Sequence, residues 1–210
     1  MAGPEYLNHF SKLNLNGKKP GPITTDRVFL CVTIFNNKTM SQLQIEEYYL
    51  EALDQLEYGE TVEAKRSFEK IIQENPEYGR AYNYLGWIFH KYFYDFRTAD
   101  EMYRLAIKYN PEFPLTYLNY ICLLVETDKW EHLKYVLDKA IKVPGTQKSV
   151  ILYHYGRLYE YNENFETALE FYAKGMKATV DEQELGKFEE SINRCYSKKS
   201  HHKHWNSVII

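Results

Sequence analysis

Between residues 77 and 112, apolar and small residues fall at helical spacing twice over. Tyr82, Leu85, Gly86 and Phe89 share one face of a first helix. Ala99, Tyr103 and Ala106 share one face of a second, and Pro111 follows. Steps of three and four residues keep side chains on a single helical face. A large–small step on one helix, set against small–aromatic–small on the next, predicts two short helices packed antiparallel. The pattern recurs on both sides. An earlier pair runs from about Gln42 to Glu74, with Gly59 at its turn, Ala64, Phe68 and Ile71 inside its second helix, and Pro76 as its stop. A third pair carries Tyr117, Tyr120, Ile121 and Leu124, then Leu133, Leu137 and Ala140, and ends at Pro144-Gly145. A fourth carries Leu152, Tyr155, Gly156 and Tyr159, then Ala168, Tyr172 and Gly175. The equivalent positions Ala64, Ala99, Leu133 and Ala168 are separated by 35, 34 and 35 residues, and Pro76 and Pro111 by 35. This periodicity predicts an all-α chain, a solenoid of antiparallel helix pairs in which each pair buries one face against its neighbours.

The ends depart from the period. Residues 1–40 form a non-repeat segment. Gly17, Pro20, Gly21 and Pro22 break any helix there, and Val28 to Phe35 reads as one strand-like run with no partner strand. A lone strand leaves its backbone unpaired, so this segment is expected to be disordered, or to lie ahead of a natural start at Met40. Ser41 with Gln44 has the shape of a capping box and marks the first helix. Residues 41–197 form the repeat domain. Its last amphipathic stretch, with Leu185, Phe188, Ile192 and Cys195 at helical spacing, reads as the helix that caps a solenoid's open end. The basic, His-rich stretch from 198 to 210 is expected to be a flexible tail.

From about Glu46 to Ala178 the chain resembles a run of four tetratricopeptide repeats. Leu85-Gly86 and Tyr155-Gly156 stand at that family's large–small step. In the third unit Ile121 replaces the small residue, which predicts a wider spacing of those two helices. In the first, Glu51 and Gln55 occupy places that are usually buried. The resemblance implies a right-handed superhelix whose concave face, built mainly from the first helix of each pair, binds a peptide or protein segment.

Residues interleaved with the buried set are therefore the candidates for binding. They are Arg80, Asn83, Tyr84, Trp87 and Lys91 in the second pair, Asn119 in the third, and Tyr153, His154, Arg157 and Tyr161 in the fourth. Tyr, Trp and Arg dominate interface energetics, and Asn can bond a peptide backbone through both donor and acceptor. Some tetratricopeptide proteins hold a chaperone's terminal carboxylate with Lys and Asn in the first repeat. This chain has Tyr49 and Leu53 at those places, which disfavours that partner and suggests a more apolar or mixed peptide.

Composition narrows the field further. The net charge is −3, with five basic and two acidic residues in the first 39 positions. No clustered basic face indicates nucleic acid, and no apolar run approaches the ~20 residues of a membrane span. Three scattered cysteines, Cys31, Cys122 and Cys195, fit a reducing compartment rather than a disulfide framework, so a cytoplasmic location is expected. No Gly-rich phosphate loop or catalytic pairing stands out, and no cofactor is expected. His201, His202 and His204 are read as tail residues rather than a metal site, and Cys195 as buried rather than reactive. The expected function is that of a non-enzymatic scaffold binding a protein or peptide partner. The alternatives are self-association of exposed aromatics into a homo-oligomer, and a hidden catalytic or metal site.

Overall fold

The computed structural model describes the backbone of residues 40–208 and the side chains through residue 200. The expectations for residues 1–39, and for His201, His202 and His204 as tail side chains, lie outside the described residues. Among the described residues nine helices run in chain order. They are α1 Gln42–Glu57, α2 Thr61–Glu74, α3 Gly79–Lys91, α4 Phe96–Tyr109, α5 Pro114–Glu126, α6 Trp130–Ala140, α7 Lys148–Tyr161, α8 Phe165–Met176 and α9 Glu182–Val208. The first eight form four antiparallel pairs stacked as a right-handed all-α solenoid, and α9 packs on α8 at the end. The Ser41–Gln44 capping box forms as predicted and opens α1.

The close approach within each pair follows from the small residues. A Cβ on Gly86 would lie 2.8 Å from the Tyr103 ring, and one on Gly156 would lie 2.3 Å from the Tyr172 ring. Both rings are fully buried. In the first pair Ala52 holds the small position and is fully buried, as is Phe68 of the facing helix. In the third pair Ile121 fills that place and the second helix offers Leu137 in place of an aromatic ring.

Every turn inside a pair reverses through one left-handed residue: Gly59, Tyr94, Asp128 and Glu163. In the first, third and fourth pairs the next backbone N–H donates to the carbonyl five residues back: Glu60 to Gln55, Lys129 to Leu124, and Asn164 to Tyr159. In the second pair Asp95 donates to Phe89, six back, because the turn holds one extra residue. That insertion leaves Tyr92, Phe93 and Tyr94 exposed where the other turns are mostly polar.

Glu51 and Gln55, the polar residues at usually buried places of the first pair, are exposed and half-buried respectively. One sequence expectation is corrected. The stretch from 198 is not a separate tail: α9 continues to Val208, as no glycine or proline after Gly186 interrupts it.

Candidate binding groove

Polar links about one repeat apart join α1 to α3, α3 to α5, and α7 to α9. Arg80 donates to both Glu46 oxygens at 2.6 and 2.8 Å, and its guanidinium lies over the Tyr49 and Tyr78 rings. Asn119 donates to the Asn83 carbonyl oxygen at 3.1 Å. His90 Nε2 lies 2.7 Å from Glu126, which also accepts from Lys91. Burial pulls the His90 pKa below its usual value, and the Glu126 contact only partly offsets this. The fourth link is the most enclosed. Glu160, 6% exposed, accepts from Arg194 Nε at 2.7 Å and Nη2 at 2.8 Å, from Lys198 at 2.8 Å, and from the Tyr172 hydroxyl at 2.8 Å. Burial alone would raise its pKa. The four donors outweigh that and hold it at about 2.

These links take up three of the predicted groove residues. Asn83 is fully buried in the joint between α3 and α5, so its amide does not face a peptide. Arg80 and Lys91 are engaged by Glu46 and Glu126 and line neither of the two hollows described next. A helical period identifies the face on which a polar residue sits. It does not reveal that a partner waits one repeat away.

What remains forms two hollows. The first, of about 320 Å³, is lined by Leu53, Leu56 and Glu57 of α1, Tyr84 and Trp87 of α3, and Leu115 and Asn119 of α5. Tyr84 stacks on Phe68 at 5.3 Å, and Trp87 meets Tyr92 edge-on, so both rings are braced from behind. The second, of about 290 Å³, is lined by Trp130, Tyr153, Arg157, Glu160, Tyr161, Arg194 and Lys198. Tyr161 stacks on Trp130 at 4.5 Å, and the Arg157 guanidinium lies 5.8 Å from the Trp130 ring. Tyr153 packs against Phe188 of α9. The structure thus keeps Tyr84, Trp87, Asn119, Tyr153, Arg157 and Tyr161 at hollows. Sequence reasoning missed Leu53, Leu56, Trp130, Arg194 and Lys198. The signal for Arg194 was its place one repeat length after Glu160.

His154 lies beside the second hollow, on a smaller one of about 150 Å³ walled by Tyr153, Phe188 and others. Its Nδ1 has no partner among the described residues. Burial, helped by the nearby Arg157 charge, lowers its pKa from 6.5 to about 4. A depressed folded pKa means that the unfolded chain takes up the proton first as pH falls. Stability from this group is therefore complete above about 6.5 and is lost as pH falls toward 4. His154→Gln is expected to flatten that arm, worth on the order of 2 kcal/mol, in melts recorded from pH 7 to 4.

Among the described residues no group of three or more His, Cys, Asp or Glu side chains is placed to hold a metal, and no helix is long and apolar enough to cross a membrane. Burial pushes the Cys195 thiol up to about 11, in line with its reading as a buried, unreactive residue.

No family model and no curated protein matches the chain. Solved structures do. Residues 41 to the end of MamA from Desulfovibrio magneticus RS-1 are 17% identical at a TM-score of 0.65, over 81% of this chain and 95% of that one. PilF of Pseudomonas aeruginosa is 20% identical at 0.63, over 75% and 69%. YrrB, described as a TPR protein with an unusual peptide-binding site, is 15% identical at 0.65, over 81% and 83%.

Proposed function

On a solenoid with the fold of the tetratricopeptide-repeat proteins, we propose that the groove formed by the first helices holds an extended segment of a partner protein, and that the chain works as a non-enzymatic scaffold. The observation that carries this reading is the first hollow. Three successive first helices contribute to one cavity, and its residues are apolar or aromatic apart from one amide, Asn119, and one carboxylate, Glu57. Aliphatic and aromatic walls with few, placed polar groups are what a binding site needs. Trp87 is its centre: half-buried, braced by Tyr92, and equivalent in register to Arg157 two repeats on. YrrB, of the same fold, carries a peptide-binding site by its own description, which supports the reading by analogy of fold alone.

The test is a displayed library of random peptides panned on the full chain. Peptides that bind wild type are expected to weaken at least ~30-fold on Trp87→Ala, the loss typical of an aromatic anchor of about 2 kcal/mol. Recovery of no peptide, or undiminished binding to the variant, would overturn the reading.

A further inference from the structure

We propose that the second hollow, where α7 meets α9, receives the carboxylate of an acidic side chain on the bound segment, with Arg157 as its principal ligand. This rests on the groove reading above and specifies the chemistry of the segment. Three cations line the hollow, Arg157, Arg194 and Lys198, against one carboxylate, Glu160. Glu160 is already saturated. Its two oxygens accept from Arg194 twice, from Lys198 and from Tyr172, which fills the four acceptor sites a carboxylate offers.

Arg157 is therefore left over. It is half-buried, and it makes no ion pair with any described carboxylate. The contrast with the other predicted groove cations is direct, since Arg80 is paired with Glu46 and Lys91 with Glu126. Its guanidinium lies 5.8 Å from the Trp130 ring, which Tyr161 stacks against, so its donors stand beside an aromatic wall. A planar guanidinium with no carboxylate partner of its own suits an incoming carboxylate, which it can bond twice.

The occupant follows from charge and register. The hollow carries two more positive than negative groups. Trp87 and Arg157 stand at the same place in their repeats, so one groove changes from apolar to cationic along its length. A single extended segment fits both, with apolar residues toward α1 and an Asp or Glu toward α9. On this account α9 is more than an end cap: Arg194 and Lys198, half-exposed beyond their contacts with Glu160, complete the positive wall.

The test uses peptides recovered from the panning, each synthesised beside twins in which Asp or Glu is replaced by Asn or Gln, or by phosphoserine. Wild type is expected to bind acidic forms at least about tenfold more tightly than amide twins, the scale of a charge-assisted pair, and the gap is expected to shrink with added salt. Arg157→Gln erases the gap while Trp87-dependent binding persists, and Arg157→Lys restores part of it. Helical circular dichroism and melting of Arg157→Gln should match wild type, because Arg157 is not part of the Glu160 link. Equal binding of acidic and amide twins, or a gap that survives Arg157→Gln, overturns the proposal and leaves the groove reading standing. Phosphoserine outbinding the carboxylate tenfold also overturns it. Failure of the wild-type chain to bind any peptide overturns the groove reading itself.

Discussion

Gly156→Val is expected to cost on the order of 3 kcal/mol and to unfold the fourth pair with α9 well before the rest. The Cβ alone would lie 2.3 Å from Cε1 and 2.4 Å from Cδ1 of Tyr172, inside any tolerable contact. The ring cannot retreat. It is fully buried, packs near Tyr153 and Phe188, and its hydroxyl is bonded to Glu160. In an open site the loss of glycine would favour the helix by up to ~1 kcal/mol, so the clash must outweigh a gain. Gly186→Ala supplies that control, since a Cβ there meets nothing within 4 Å, and it is expected to be neutral or mildly stabilising. Thermal melts read both changes, at roughly 2–4 °C per kcal/mol for a chain of this size. The companion change Tyr172→Leu should make the damage of Gly156→Val less than additive. Strict additivity of the two would show that the ring is not what the valine strikes.

Glu160→Gln is expected to cost about 2 kcal/mol and to free α9 from α7. The amide keeps the shape but carries no charge for Arg194 and Lys198, and its NH2 points a donor at donors. Both cations are about half exposed and rehydrate when released, which keeps the loss below that of a fully enclosed pair. The pH dependence gives a signature that packing alone cannot. The folded pKa, about 2, lies below the ordinary 4.5, so the unfolded chain binds the proton first as pH falls. Wild type holds this contribution above about 4.5 and loses it between there and about 2, whereas the variant lacks that arm. Hydrogen exchange in α9 should quicken while α3 is unchanged. Equal melting of the two proteins at pH 7, with matching acid arms, would remove the link from any account of stability.

The repeat was legible in the sequence because packing imposes it on every unit. Leu85-Gly86 against Tyr103, and Tyr155-Gly156 against Tyr172, are steric demands that few residue types meet, so they appear as letters at a fixed period. The groove was legible only in part. Position in the repeat singled out Trp87, Tyr153, Arg157 and Tyr161, and these side chains line hollows. It could not tell Asn83, closed into a joint with Asn119, from Asn119 itself, which still borders a hollow. The periodicity of one helix does not encode the partner a polar side chain finds on the next. The cap was misjudged for a compositional reason. Lysines and histidines after residue 197 suggested a solvated tail, yet nothing there breaks a helix, and Lys198 has a buried carboxylate to reach.

The polar links that join α1 to α3, α3 to α5 and α7 to α9 bear on how the chain reaches this state. Glu46–Arg80, Asn83–Asn119, His90–Glu126 and Glu160–Arg194 are 34 to 36 residues apart. No pair waits on a distant part of the chain, so contact order is low and folding can advance pair by pair as the polypeptide emerges. The Glu160 carboxylate follows the same rule: it stays hydrated until residues 194 and 198 have been made, so the last helix pair and α9 close together.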